Sequence, residues 1–170
     1  MSNLYQTIGL IGKPNHEGAT ATIEALHQYL TDQGYQVLVE NSVAQSVDIN
    51  NIATASLTGI GEQADLAIVI GGDGYMLGAA RVLSCYNVGV IGVNRGNLGF
   101  LTDLSPDDLI TPLDAILKGK SRAEQRFIIE AEVYRHGKLK SSNSAVNRSL
   151  IHILRCRRST LSSPTHAPVH

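Results

Sequence analysis

Three glycines around a single carboxylate, Gly71-Gly72-Asp73-Gly74, follow directly on a five-residue apolar run at 66–70. A continuous apolar run implies a strand buried on both faces, as in a parallel sheet, and ligands of such sheets bind beyond the carboxyl ends of the strands. Asp73 would sit there, a lone acid at the ligand edge. The glycines, lacking Cβ atoms, let the backbone turn sharply and offer its N–H groups to phosphate oxygens at close range. A tight turn in which Asp73 only satisfies nearby amides is the plain alternative. Residues 75–84 favour the chemical reading. Met76, Ala79, Ala80 and Leu83 recur at helical spacing, so the loop opens into a helix whose first amides face the same spot.

A second constellation, NRGNLGF at 94–100, comes directly after another apolar run at 88–93. In a parallel sheet Asn94 would end its strand at the edge where Asp73 follows the other. Gly96 and Gly99 would again leave room for a ligand. An ordinary loop that drops Leu98, Phe100 and Leu101 into the core accounts for the apolar residues, which leaves Asn94 as the binding candidate.

These loops need a scaffold, and the order of elements predicts one. Residues 7–12 read as a first strand and 19–32 as a helix with Ile23, Leu26, His27 and Leu30 on one face, stopped by Gly34. Residues 35–40 read as a second strand and 46–63 as a helical or irregular stretch. The 66–70 strand, its helix and the 88–93 strand complete a repeated β-α-β pattern. Ser105, Pro106 and Asp108 open a further helix that ends before Gly119. From Arg122 the pattern changes to a hairpin, with an alternating run at 127–134, a turn at His136 and Gly137, and a polar strand from Lys138. The predicted organisation is an α/β nucleotide-binding domain over 1–118, the beginning of a β-rich domain over 119–147, and a tail over 148–170 that is disordered or artefactual.

Composition bounds the function. The chain has 170 residues, 43% of them hydrophobic and 17% charged, which suits one ordinary domain core and excludes disorder throughout. No apolar run approaches the roughly 20 residues that span a bilayer, and the N-terminus lacks a signal-type pattern. With only Cys85 and Cys156, free thiols in a reducing compartment fit better than a disulfide framework, so the expectation is cytoplasmic. Residues 1–147 carry a net charge of −5 and 148–170 one of +4. That arginine-rich tail has no aromatic residue for stacking, and its His152, Cys156, His166 and His170 lack a zinc-finger pattern, so neither nucleic acid nor a protein-held metal is expected. Of the other histidines, His16 lies in the loop after the first strand and His27 on a packing face. No G-x-x-x-x-G-K-[ST] occurs, and the glycine loop is misplaced for a Rossmann dehydrogenase.

GGDG at 71–74 with the following MLGAARVL, and the Asn94-x-Gly96-x-Leu98-Gly99-Phe100-Leu101 element, resemble the ATP-NAD kinase family over roughly residues 5–147. Diacylglycerol kinases and phosphofructokinases carry related glycine-aspartate loops, but the two motifs in this order narrow the match. The resemblance implies a Rossmann-like three-layer fold of NAD kinase/diacylglycerol kinase type. It implies transfer of the γ-phosphate of ATP, or of polyphosphate, to the 2′-hydroxyl of the adenosine ribose of NAD, with a divalent metal such as Mg2+. It further implies Asp73 as the base, Gly71, Gly72, Gly74, Asn94 and Asn147 as nucleotide-binding positions, and a homo-oligomer without nucleic-acid or membrane partners.

Two positions depart from the family pattern. Tyr75 stands where relatives often have a small polar residue, either crowding the phosphates or pointing outward. Arg148 replaces the acid expected after Asn147, and the resemblance stops there, so the chain reads as an inactive truncated kinase. The alternatives are a non-catalytic nucleotide-binding fragment or another glycine-aspartate-loop phosphotransferase.

Overall fold

The computed structural model describes residues 4–95, 101, 104–124 and 128–145. They fall into two compact units that divide between Phe127 and Ile128. The larger unit is a five-stranded parallel sheet in the order β3-β2-β1-β4-β5. Its strands are β1 (Thr7–Gly12), β2 (Gln36–Glu40), β3 (Thr54–Ala55), β4 (Leu66–Gly71) and β5 (Gly89–Asn94). Its helices are α1 (Glu17–Asp32), α2 (Asn41–Ala44), α3 (Leu57–Gln63), α4 (Asp73–Leu83) and α5 (Ile110–Leu117).

Alternation along the central strands builds the layers. Ile8, Leu10, Leu66, Ile68 and Ile70 turn to one face and pack with Ile23, Leu26 and Leu30 of α1 and Leu113 and Leu117 of α5. Ile11, Ala67 and Val69 turn to the other and pack with Ile60 of α3 and Ala79 and Leu83 of α4. All six residues of β4 are buried, as its unbroken apolar run requires. The expected α/β three-layer class is therefore the observed one.

Most predicted elements are present with small shifts. The expected strand at 7–12 is β1, α1 begins two residues earlier than read, and Gly34 follows it with φ +84°, the left-handed stop that glycine favours. Within 46–63 the short β3 and α3 resolve what sequence left open, so the run at 88–93 is the fifth strand. The helix expected from Ser105 begins as a 3-10 turn, Pro106–Asp108, with Ser105 Oγ accepting from the Asp107 N–H at 3.4 Å, before α5 proper. At the amino edge of the sheet Asp65 accepts the N–H groups of Gln6 at 2.7 Å and Thr7 at 2.9 Å, which holds its carboxyl below the usual range and ties β1 to β4.

The second unit is a hairpin of β6 (Ile129–Arg135) and β7 (Lys138–Ala145). His136 and Gly137 both have positive φ, 51° and 72°, the pattern of a type I′ turn. Ile129, Val133, Tyr134 and Leu139 are exposed on it. Phe127, Asn147 and the 148–170 tail, to which an expectation was attached, lie outside the described residues.

Gly9 is bare because α3 needs the space: a Cβ there would run into the Ile60 Cγ2 methyl. Gly9→Ala is predicted to lower stability by about 1–3 kcal/mol, the usual penalty of overpacking. Gly78, interior to α4 with nothing near its missing Cβ, should instead gain roughly 0.5–1 kcal/mol on substitution by alanine. Urea midpoints of the two variants measure both, and equal midpoints would remove this packing account.

Candidate functional site

In the order β3-β2-β1-β4-β5, successive strands run one way from β1 and the other way from β4. The crevice outside the carboxyl ends of β1 and β4 is thus a topological switch point, where open α/β sheets bind their ligands. Gly71 ends β4 there, and its ladder partner on β5 is Asn94. The sequence expectation that these two strand ends share one edge holds.

Both flanking loops are pinned to the end of β4. The Lys13 N–H, just after β1, donates to Ile70 O at 3.3 Å, and the Arg95 N–H, just after β5, donates to Gly71 O at 3.1 Å. The chain beyond Arg95 returns at Leu104, which bridges Val93 in parallel and accepts from the Asn94 N–H at 2.9 Å. Within that excursion Gly96, Leu98, Gly99 and Phe100 lie outside the described residues, whereas Leu101 is buried as expected.

Gly72 is the N-cap of α4 with φ −91° and ψ 178°, and it makes no side-chain capping bond. The first turn therefore presents amides and the positive end of the helix dipole at the switch point. Asp73 is the first helical residue, half-buried, and its Oδ1 accepts the Leu101 N–H at 3.2 Å. One carboxylate oxygen is thereby oriented by the backbone of the β5 excursion.

The glycines have different reasons to be glycine. None of Gly71, Gly72 and Gly74 has positive φ, so the sharp turn read from sequence is not what the loop requires. A Cβ on Gly71 would come within 3.0 Å of the Tyr75 Cβ, which is a packing constraint. A Cβ on Gly72 or Gly74 would meet nothing within 4 Å. These two leave open a space that no part of the described chain occupies.

Tyr75 does not point outward. Its ring packs against the cluster of Ile11, Ile60, Val69 and Ala79, and its hydroxyl lies beside Glu40 and Ser42. Glu40 ends β2 at the same carboxyl edge, and sequence reading passed over it. Its Oε2 is buried with no hydrogen-bond partner among the described residues. Burial pushes its carboxyl above the usual range, against the pull of the Ser42 and Tyr75 hydroxyls. An acid at the end of a strand is visible in the sequence, but the edge it shares with Asp73 follows only from the strand order.

Arg95 is the other residue missed. Its side chain reaches back from β5 to α1, where Nε donates to Thr22 Oγ1 at 2.8 Å. His16, by contrast, is spent on structure: its Nδ1 accepts the Ala19 N–H at 3.2 Å as the N-cap of α1. His27 is half-buried on α1, and burial lowers its pKa, as a packing residue should show. Among the described residues no group of three or more His, Cys, Asp or Glu side chains could hold a metal ion, and no helix is long and apolar enough to cross a membrane.

The family model of the ATP-NAD kinase N-terminal domain matches residues 8–121. A protein of Colwellia psychrerythraea named NAD kinase is 74% identical over 152 residues, covering 89% of this chain and 52% of that protein. Another from Aeromonas salmonicida, also named NAD kinase, is 60% identical over the same length, with the same coverage of each. The chain thus spans about half the length of these curated relatives. The crystal structure of yeast NADH kinase complexed with NADH superposes with a TM-score of 0.69 at 19% identity, covering 85% of this chain and 47% of that one, a likeness of fold.

Because Glu40 binds its proton more tightly folded than unfolded, the stability it contributes is fully present below about pH 4.5, its ordinary value, and is lost as pH rises through the elevated folded value. Glu40→Gln should remove that downward component while keeping the shape of the side chain. Urea unfolding of both proteins across pH 4 to 8 checks this: wild type is expected to lose stability relative to the variant as pH rises, and parallel curves would contradict it.

Proposed function

This chain belongs to the ATP-NAD kinase family, and from that premise we propose that it carries the glycine-loop half of an ATP:NAD 2′-phosphotransferase. In the proposed reaction the 2′-oxygen of the adenosine ribose of NAD attacks the γ-phosphorus of ATP. The bond from that phosphorus to the β-bridging oxygen breaks, and ADP and NADP result. The single observation that carries this reading is the open space over Gly72 and Gly74 beside the start of α4. Backbone amides bared by two glycines at a switch point suit phosphate oxygens.

Asp73 is the proposed base. A ribose hydroxyl is a weak nucleophile, and a positioned carboxylate that takes its proton as the new bond forms contributes typically 10²- to 10⁴-fold. The Leu101 N–H holds one oxygen of Asp73, which fixes the carboxylate without charging the site further. Gly71, Gly72, Gly74 and Asn94 would line the nucleotide at the same edge, and Asn147 is proposed as a further nucleotide-binding position.

A divalent cation, Mg2+ by the family's habit, would neutralise phosphate charge. With no side-chain cage among the described residues, it would arrive on the phosphates themselves, the usual situation for Mg2+ in phosphoryl transfer. The α/β domain is proposed to end near residue 118 and a β-rich, NAD-binding domain to begin at 119. A cytoplasmic homo-oligomer acting on ATP and NAD, with no nucleic-acid partner, completes the proposal.

The test joins residues 1–145 of this chain to the remaining part of the Colwellia relative and follows ATP-dependent NADP formation. The graft is expected to turn over, and Asp73→Asn within it to lose roughly 10²- to 10⁴-fold in kcat with an unchanged melting temperature. Gly72→Val, whose Cβ would meet nothing within 4 Å, should keep the fold and weaken ATP binding. Full activity in the Asp73→Asn graft would refute the assignment of the base.

A further inference from the structure

Arg95 leaves β5 at the carboxyl edge with its N–H on Gly71 O, yet its guanidinium ends on α1, the helix that follows β1. The side chain therefore links the end of β5 to the start of the helix that follows β1. Its far end runs over the first turn of α1, where a Cβ built on Gly18 would lie 3.6 Å from both Arg95 Cδ and Nη1.

The guanidinium is held there by a buried anchor. Thr22 is 3% exposed, and its Oγ1 accepts from Arg95 Nε while donating to Gly18 O at 2.8 Å. That bond uses one of five guanidinium N–H donors. Among the described residues no carboxylate lies within salt-bridge distance of Arg95, whose side chain is half-buried. A half-buried, oriented guanidinium with no anion beside it among the described residues is poised for an external one, and its planar fork matches phosphate oxygens. Lys13, exposed on the β1 side of the same strand end, adds a second positive charge to this edge.

We infer that Arg95 is the seat of the phosphoryl donor's polyphosphate chain: its Nη1 and Nη2 groups bind phosphate oxygens lying along the edge between the glycine turn and α1, and Thr22 is the positioning residue that fixes their direction. This rests on the phosphotransferase reading and adds to it the side from which the donor approaches. The donor then lies toward β1 and α1, which leaves the Asn94 side of Asp73 to the acceptor. The shared chemistry is a chain of phosphoryl groups, supplied by a nucleoside triphosphate or by inorganic polyphosphate.

The test is calorimetric titration of the 170-residue chain with ATP, AMP, adenosine and inorganic tripolyphosphate, each at two salt concentrations. Wild type is expected to bind ATP and tripolyphosphate with an affinity that falls as phosphates are removed; tighter binding of ATP than of tripolyphosphate identifies the nucleotide as the donor, and the reverse identifies polyphosphate. Arg95→Gln should weaken both by roughly 10- to 100-fold, the usual worth of charge-assisted hydrogen bonds, and should leave adenosine unchanged. Arg95→Lys keeps the charge without the fork and should recover only part of the loss. Thr22→Val should reduce phosphate affinity several-fold and flatten its dependence on phosphate number, while Thr22→Ser should restore both, a pattern that a merely structural threonine would not give. Gly72→Val separates the two levels of the proposal. If it abolishes ATP binding while folded Arg95→Gln binds like wild type, the Arg95 assignment is overturned and the phosphotransferase reading stands. If wild type binds neither ATP nor tripolyphosphate, both fall.

Discussion

The end of β4 is where the molecule is held together as a site. Its last two carbonyls, Ile70 O and Gly71 O, accept the first loop amides after β1 and β5 respectively. These two bonds close the loops on either side of one strand end, so that Lys13, the glycine turn and Arg95 occupy a single edge. They can do so only because β4 lies between β1 and β5, and it lies there because its uninterrupted apolar run must be covered on both faces. Burial of a strand thus sets the position of a loop that is itself polar and open.

Glycine does two opposite jobs in this sheet. At Gly9 and Gly12 the missing Cβ is filled from within the protein, by Ile60 and by Ile23, and the consequence is close helix–sheet packing. At Gly72 and Gly74 it is filled by nothing, and the consequence is a bare backbone at a helix start. A sequence presents all four as the same letter. The structural distinction separates core from site more sharply than the glycine count does. Tyr75 joins the two regimes, since it fills the room beside Gly71, packs into the core below and sets its hydroxyl beside Glu40 at the end of β2.

Much of this was legible in the residues. The apolar run before Gly71, the helical spacing after Asp73 and the left-handed stop at Gly34 each report local chemistry, and each element formed where that chemistry put it. Asn94 could be placed beside Gly71 because both close apolar runs, and parallel pairing aligns such ends. What escaped depends on distant partners or on very short elements. The two residues of β3 carry too little pattern to read and are strand only through their pairing with Val39 and Glu40. Pro106 began a helix as expected but favoured a 3-10 turn, so α5 starts later than the cap. Arg95 stood inside a recognised motif, yet its anchor lies 73 residues away on α1, a contact that no local spacing encodes. Glu40 went unremarked because its meaning comes from the strand order, which turns the end of β2 toward the same edge as Asp73.

The central claim is that a phosphate-bearing nucleotide docks on the carboxyl edge of β4. The direct measurement is an ATP titration of the 15N-labelled chain followed by amide chemical shifts. The account predicts the largest changes at Gly72, Asp73, Gly74, Lys13 and Arg95. Shifts confined to the hairpin, or spread evenly without a maximum at the glycine turn, would contradict it.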